Sequence, residues 1–220
     1  MGPVKRSGAD QGGERNVEAR RALVSHGLLL VERGYVVGAD GNLSVRLGET
    51  VLCTPSRVPY RDLTPEAMVE VRKPPAPSPA VDSDSLKDAD FPANATSELA
   101  LHLAVYSARP ELRALVHAHP VWACVLAVLR QPLPALLDEV GPVLGGPVAV
   151  APYAPSGSAM LGENAARAMH GRNAVILANH GTLSGGATLE EAFYRLEVLE
   201  RAAHVYLLAR GRGEVAMPGA

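Results

Sequence analysis

The sequence is poor in cysteine and contains no long apolar run. Its 220 residues include only Cys53 and Cys124, and no secretory apolar segment stands near the start. No disulfide framework is therefore expected, and a reduced, cytoplasmic protein is predicted. The apolar stretches, such as Ala123–Leu129, are far shorter than the roughly 20 residues that cross a bilayer. We expect no membrane partner.

Aromatic residues are also scarce, at 4 %, and neither sign of charge dominates. The formal net charge is −2, and no basic stripe indicates a surface for nucleic acid. The Gly-rich sequences that cradle nucleotide phosphates are absent as well. Apolar residues nevertheless make up 47 % of the chain, which is enough to bury a core. A globular protein without a nucleic-acid partner is predicted.

Helical and strand patterns alternate along the chain. The first helix is predicted from near Glu14 to Gly34, and a hairpin of strands follows at Asn42–Arg46 and Thr50–Thr54. Further strands are predicted at 68–71, 114–117, 148–150 and 174–178, and further helices at 97–107, 121–129, 162–169 and after Thr188, which begins a capping box. This order indicates an α/β or α+β layered fold around a mixed or antiparallel sheet.

The organisation predicted from composition is a single domain over residues 14–212. Residues 1–13 are Gly-rich and polar and are expected to form a disordered tail, and residues 213–220 a second tail. Residues 73–95 are rich in Pro, Ser and Asp, which predicts a loop within the domain. The candidate site residues lie on both sides of this loop in the sequence.

Three histidines carry the clearest chemical signal. His117 and His119 end one apolar run, and His180 follows another, Ala174–Ala178. Residues two apart in a strand point to the same side, so the first two imidazoles can serve one ion. Three protein ligands with an open fourth position are the arrangement in which zinc acts as a Lewis acid. The alternative is that these are hydrogen-bonded histidines at strand ends.

A carboxylate that moves protons is expected near such a metal, and Glu98 is the candidate. It follows Thr96 and Ser97 at the predicted start of a helix, where exposed N–H groups favour anions. The alternative is that these residues only cap the helix. His102 lies one helical turn after Glu98 and could orient its carboxylate.

Two loops beside the predicted hairpin are rich in small polar residues. Residues 41–44 are Gly-Asn-Leu-Ser, and residues 54–56 are Thr-Pro-Ser. Hydroxyl, amide and backbone N–H groups of this kind can form a phosphate nest. They are also typical of ordinary turns.

Taken together, these motifs resemble the class II aldolase/adducin family. The segments 41–44, 54–56, 97–98, 117–119 and 179–181 occur in the order and approximate spacing of that family, and the resemblance runs from about Glu14 to Arg210. It implies a three-layer α/β/α sandwich around a mixed, largely antiparallel central sheet. It also implies a homo-oligomer, usually a homotetramer with active sites between subunits.

The resemblance further implies a role for each site residue. His117, His119 and His180 would bind one Zn²⁺ per subunit, and Glu98 would be the catalytic carboxylate. The substrate phosphate would contact Gly41, Asn42, Thr54, Ser56, Thr96 and Ser97. The implied reaction is reversible cleavage of a sugar phosphate, a ketose phosphate of the L-fuculose-1-phosphate type. Its products are a dihydroxyacetone-phosphate-like ketone, formed through an enediolate, and an aldehyde.

Two alternatives to the aldolase stay open. The same metal site could serve a sugar-phosphate epimerase, decarboxylase or dehydratase. A non-catalytic binding module like the adducin head would share the fold but would lack the metal histidines, which are present here. One departure from the family concerns Arg57, which stands where many relatives carry Gly after Thr-Pro-Ser. Its guanidinium would either hinder a phosphate or add a charge-assisted contact to one.

Overall fold

The computed structural model describes residues 8–72 and 91–218. The helices in these residues are α1 (Gly8–Glu32), α2 (Leu99–Ala108), α3 (Val121–Leu129), α4 (Val140–Leu144), α5 (Ala159–Ala168) and α6 (Leu189–Arg210), with short 3₁₀ helices at Tyr60–Asp62 and Pro65–Ala67. The strands are β1 (Asn42–Leu47), β2 (Thr50–Cys53), β3 (Val69–Arg72), β4 (Ala114–Ala118), β5 (Val150–Ala151), β6 (Ala174–Leu177) and β7 (Gly181–Gly186). No helix in the described ranges has the length and apolar character needed to span a bilayer.

The strands form one seven-stranded sheet in the order β3-β2-β1-β4-β7-β6-β5. Only β5 and β6 are parallel, and all other neighbours are antiparallel. The predicted mixed, largely antiparallel sheet is confirmed. Because β1 pairs with β4, and β4 with β7, Asn42 lies opposite His117, which lies opposite Leu183.

Helices cover both faces of the sheet. Alternate residues of a strand point to opposite faces, and each set has its own apolar cluster. On one face, Leu115 and Leu183 pack in a cluster with α2 and α5. On the other face, Leu43 and Val116 pack with α1 and α6, and Ile176 packs with α3, α4 and α6. Each fully buried Leu or Val stabilises the fold by about 1.5–3 kcal/mol, and the predicted three-layer sandwich is confirmed.

Some boundaries differ from the sequence-based expectation. Helix α1 begins at Gly8 rather than near Glu14, so residues 8–13 belong to a helix and not to the predicted tail. Residues 1–7, residues 73–90 of the Pro-rich loop and residues 219–220 lie outside the described residues.

Strand β7 was not predicted, because its Gly-Thr-Leu-Ser-Gly-Gly sequence is typical of a turn. Its backbone pairs with β4 and β6 on both sides, and this tertiary pairing outweighs its low strand propensity.

Candidate metal centre

The sheet itself orients His117. This residue lies in β4 with a fully buried side chain, and its Nδ1 is 2.8 Å from the backbone carbonyl oxygen of Thr182 in β7. A carbonyl only accepts, so Nδ1 is the donor in this contact, and Nε2 is the nitrogen that faces the cluster. An imidazole anchored through one nitrogen in this way is oriented to bind a metal with the other.

Backbone contacts place the other two histidines. His119 directly follows β4, and its N–H donates to the carbonyl of Tyr35 at 2.9 Å. Gly181 lies against its ring, where an added Cβ would stand 2.4 Å from His119 Cδ2, so only glycine fits there. His180 lies in the tight turn between β6 and β7, and its N–H donates to the carbonyl of Leu177 at 3.0 Å.

The three histidines converge on one point. One nitrogen from each lies within 4.8 Å of the others, and the Nε2 atoms of His117 and His119 are 3.1 Å apart. Two nitrogens bound to a tetrahedral zinc at its usual bond length are separated by about 3.3 Å, so this donor set fits such an ion. Burial, followed by the neighbouring imidazoles, lowers the pKa of His119 to about 4. The ring is therefore kept in the neutral form that metals bind.

Glu98 faces this cluster. Its Oε2 is 2.8 Å from His117 Nε2, and its Oε1 is 3.2 Å from His180 Nε2. Burial alone would raise the pKa of Glu98, but the imidazoles of His117 and His180 and the Asn42 amide lower it far below its usual range. Glu98 immediately precedes α2, yet its carboxylate makes no capping bond to that helix. Instead, Thr96 Oγ1 accepts the N–H of Glu98 at 3.3 Å.

Two polar side chains hold the Glu98 carboxylate in place. Asn42 Nδ2 donates to Oε2 at 3.1 Å, and Ser156 Oγ donates to Oε1 at 2.8 Å. Sequence reasoning did not single out Ser156, because Pro155-Ser-Gly-Ser is typical of any turn before a helix. The position of His102 one turn after Glu98 had suggested a direct contact with the carboxylate, but no such hydrogen bond is present between the two side chains. His102 contacts Asn42 instead.

The residues expected to hold a phosphate lie on segments close to Glu98. A bridge between Pro55 and Ala95 joins the loop after β2 to the segment before α2. Thr54 Oγ1 accepts the N–H of Leu43 at 3.2 Å, which leaves its own O–H able to donate. The N–H of Ser56 donates to the carbonyl of Asn94 at 2.9 Å. Thr96 is buried and Ser97 is exposed.

The two residues at the start of β1 have other contacts. Gly41 has a positive φ of 72°, and an added Cβ would stand 2.6 Å from the carbonyl oxygen of His117. Glycine therefore allows β1 to approach β4 beside the first histidine. The buried amide of Asn42 is engaged by Glu98 and His102.

A groove of about 990 Å³ lies at the other end of β1. Its walls come from α1, the turn between β1 and β2, and the start of α6, and they include Arg46, Glu70 and Arg113. Arginine and glutamate residues are mixed there, and the histidine cluster is not part of its lining. The candidate metal centre is therefore identified by the histidine nitrogens and the Glu98 carboxylate, and not by this groove.

An α/β/α sandwich that gathers three imidazoles and a buried carboxylate at one end of its sheet defines an enzyme with a candidate metal centre. The sequence model of the Class II Aldolase and Adducin N-terminal domain matches residues 21–207. The chain belongs to the class II aldolase and adducin family. It is an enzyme of the metal-dependent aldolase class.

Relatives with named activities support this class. An L-fuculose phosphate aldolase from Escherichia coli is 31 % identical over 194 residues, covering 88 % of this chain and 84 % of that protein. A 5-methylthioribulose-1-phosphate/5-deoxyribulose-1-phosphate aldolase from Rhodospirillum rubrum is 34 % identical over 191 residues, covering 84 % of this chain and 81 % of that protein. The solved structure of an L-fuculose 1-phosphate aldolase superposes with a TM-score of 0.79 at 35 % identity, covering 91 % of this chain and 90 % of that one.

Proposed function

We propose that this protein is a zinc-dependent aldolase that reversibly cleaves a ketose 1-phosphate into a dihydroxyacetone-phosphate-like ketone and an aldehyde. The observation that carries this proposal is the position of Glu98, whose two oxygens face the Nε2 atoms of His117 and His180. Aldolases for L-fuculose phosphate and for 5-deoxyribulose 1-phosphate are both among its relatives. The substrate class is therefore a short ketose phosphate.

His117, His119 and His180 would hold the zinc ion. When bound, zinc supplies Lewis-acid stabilisation of the negative charge that develops on the substrate oxygens. The sheet keeps His117 rigid through Thr182, and the turns at His119 and His180 complete the set. Glu98 adjoins this set and would face the substrate.

Glu98 is the proton carrier in this proposal. In the synthetic direction, it removes a proton from the carbon next to the carbonyl of the ketone phosphate. The electron pair of that C–H bond forms the enediolate, which attacks the aldehyde carbon and makes the C–C bond, while the carbonyl π pair moves to the aldehyde oxygen, which takes up a proton from water. In cleavage, that hydroxyl loses its proton to water and its O–H electron pair re-forms the C=O bond. The C–C electron pair returns to the carbon next to the ketone carbonyl, and Glu98 gives the proton back to that carbon. Asn42 and Ser156 hold the carboxylate in reach during both steps.

The phosphate is proposed to bind where the loop at 54–56 meets the segment at 96–97. The Pro55–Ala95 bridge supports this, because it joins the segment that carries Thr54 and Ser56 to the segment that carries Thr96 and Ser97. Gly41 and Asn42 complete the proposed set at the start of β1. Hydroxyl and backbone N–H donors suit a phosphate, which has only acceptor oxygens at its periphery when ionised.

A second copy of this chain is the proposed occupant of the apolar face of α3. Its exposed residues share one side of the helix and are Val121, Val125, Val128 and Leu129, with exposed fractions of 61, 37, 64 and 56 %. Because α3 starts directly after His119-Pro120, a copy seated there would adjoin the metal site. A homotetramer of the kind formed by the family would bury this face.

The direct test combines metal analysis with product analysis. Purified protein is assayed for bound metal by elemental mass spectrometry and is then incubated with a panel of ketose 1-phosphates. Two fragments from one substrate, one of them dihydroxyacetone phosphate, support aldol cleavage. An unchanged mass with altered stereochemistry would indicate epimerisation, released CO₂ would indicate decarboxylation, and loss of water would indicate dehydration. Any of these three results would overturn the aldolase proposal.

A further inference from the structure

A chain of buried polar side chains leads from Glu98 into the core. Asn42 Oδ1 lies 2.5 Å from His102 Nε2, and His102 Nδ1 lies 2.6 Å from Ser44 Oγ. Ser44 Oγ in turn lies 2.8 Å from the hydroxyl of Tyr106. Asn42 is 4 % exposed, and Ser44, His102 and Tyr106 are fully buried.

Two structural periods produce this chain. Asn42 and Ser44 are two residues apart in β1, so both point to the face covered by α2. His102 and Tyr106 are one turn apart in α2, so both point towards β1. The strand and the helix thus interleave their polar side chains between the sheet and its covering layer.

The direction of the hydrogen bonds between Glu98 and Ser44 follows from their end at Glu98. A carboxylate accepts and cannot donate, so Asn42 presents its NH₂ group to Glu98 and its carbonyl to His102. His102 must then donate from Nε2 to that carbonyl. Its Nδ1 accepts from the hydroxyl of Ser44, whose oxygen contacts the Tyr106 hydroxyl. The Tyr106 hydroxyl also has the backbone carbonyls of Ser44 and Arg113 as acceptors, at 3.1 and 3.4 Å. Ser44, His102 and Asn42 therefore donate in the same direction, towards Glu98.

Such a chain is costly as a packing device. Four polar groups in an apolar layer contribute less stability than aliphatic side chains of the same volume, unless all of them are satisfied. In this layer each one has a partner. Aligned hydrogen bonds in a low dielectric also polarise one another, which strengthens the donor at the Glu98 end.

We propose that His102 is a positioning residue, which fixes the amide of Asn42 so that it donates to Glu98. This inference rests on the proposed role of Glu98 as the proton carrier. Without the Nε2 donor, the buried carbonyl of Asn42 has no partner, and the amide can shift from its place beside Glu98. The Glu98 carboxylate then loses a fixed donor and is held less firmly in the position in which it exchanges a proton.

The kinetic test compares two variants at His102. His102→Leu removes both nitrogens and is expected to lower kcat by about 10- to 100-fold, as expected for a displaced catalytic group. The zinc content should remain near its wild-type value, because the three histidines are unchanged. KM should change less than kcat, because Asn42 is only one of the six residues proposed to hold the phosphate. In His102→Gln, a side-chain NH₂ takes the place of the Nε2 donor, and most of the activity should return.

Two controls separate positioning from loss of stability. Leu101 is the fully buried neighbour of His102 on α2 and lies outside the polar chain. Leu101→Ala should lower the melting temperature at least as much as His102→Leu but leave kcat nearly unchanged. Tyr106→Phe removes only the far end of the chain and should have a smaller effect than His102→Leu. An equal loss of kcat in Leu101→Ala, or no recovery in His102→Gln, would overturn the proposal.

A spectroscopic measurement tests the direction of the chain without any substrate. In protein labelled with ¹⁵N-histidine, the signals assigned through His102→Gln should show a neutral ring protonated at Nε2. A ring protonated at Nδ1 alone would leave Nε2 as an acceptor, so that Asn42 would face Glu98 the other way, and this result would overturn the inference. If no sugar phosphate is cleaved but Nε2 carries the proton, the hydrogen-bond direction stands. In that case the proposed effect of His102 on catalysis is overturned together with the proposed function.

Discussion

The carboxylate of Glu200 in α6 accepts the backbone N–H of Trp122 at 2.9 Å, and its second oxygen accepts the N–H of Ala123 at 2.8 Å. Both N–H groups belong to the first turn of α3, whose preceding residue, Pro120, makes no capping bond. Glu200 therefore supplies the acceptors that this helix start lacks. Because Pro120 directly follows His119, the contact also fixes the chain where it leaves β4 towards the metal cluster.

Replacing Glu200 tests this connection. Glu200→Ala leaves two N–H groups without acceptors and should lower the free energy of unfolding by about 1–3 kcal/mol. It should also weaken zinc binding about 10-fold, because His119 is less firmly held. Thermal unfolding of the metal-free protein and competition with a chromophoric chelator measure the two effects. Glu200→Gln keeps one strong acceptor, so its stability and its zinc affinity should lie between those of the wild type and of Glu200→Ala. An unchanged zinc affinity in Glu200→Ala would contradict the prediction.

Metal removal should destabilise the fold. Zinc bound only by the folded protein stabilises it by about 2.7 kcal/mol when its concentration is 100-fold above Kd. Treatment with a chelator should therefore lower the melting temperature, and added zinc should restore it. His180→Ala should not respond to zinc, whereas His170→Ala, with an exposed residue outside the cluster, should respond like the wild type. A response retained in His180→Ala would exclude it as a ligand.

Glu98→Gln tests the proton carrier. The amide has nearly the same shape but cannot carry the proton, so kcat should fall by about 10²- to 10⁴-fold. Zinc content, read by elemental analysis, should be retained because the three histidines are intact. Ser156→Ala removes one hydrogen bond to the same carboxylate and should cost far less activity. A Gln variant with wild-type turnover would show that another group moves the proton.

Arg57 has a positive φ of 63°, a left-handed conformation that glycine adopts without strain. Arg57→Gly should raise the stability by about 1 kcal/mol, since a side chain in this region is disfavoured. It should also raise the KM for a phosphorylated substrate, if the guanidinium contacts the phosphate. Arg57→Asn should raise KM equally, and Arg57→Lys, which keeps the charge and the strain, should change neither value much. Melting curves and steady-state kinetics separate the two effects.

The apolar face of α3 should govern assembly. Val128 is 64 % exposed on that face, and Val128→Glu should shift the protein to a smaller species in sedimentation velocity at micromolar concentration. Val37→Glu is the matched control, because Val37 is 80 % exposed but lies outside α3. A wild-type protein that sediments as a monomer would contradict the proposed shared interface.

Local patterns predicted many of the elements well. Helix α3 spans the predicted residues Val121–Leu129, and Thr188 caps α6 by accepting the N–H of Glu191, as its capping box indicated. These features depend on residues that are close in the chain. Strand β7 was missed, because pairing with distant strands decided it. The early start of α1 was missed as well, since its Gly-rich sequence does not favour a helix.

The site shows the same division. Sequence spacing singled out the histidine pair, His180 and Glu98, but it did not decide whether Glu98 caps a helix or carries a proton. Sequence reasoning also gave no sign of Ser156 or Glu200. Their roles depend on contacts between segments far apart in the chain, with Ser156 bound to Glu98 and Glu200 bound to the start of α3.

The amino-acid sequence by itself determined which chemical groups are present, how they are spaced along each strand and helix, and which face of each element is apolar. Only the tertiary structure decided that Glu98 turns away from its helix to face His117 and that Asn42 serves this carboxylate. The physical reason is that a polar side chain takes the partner that the fold brings within about 3 Å of it. For these residues, that partner comes from a distant part of the chain.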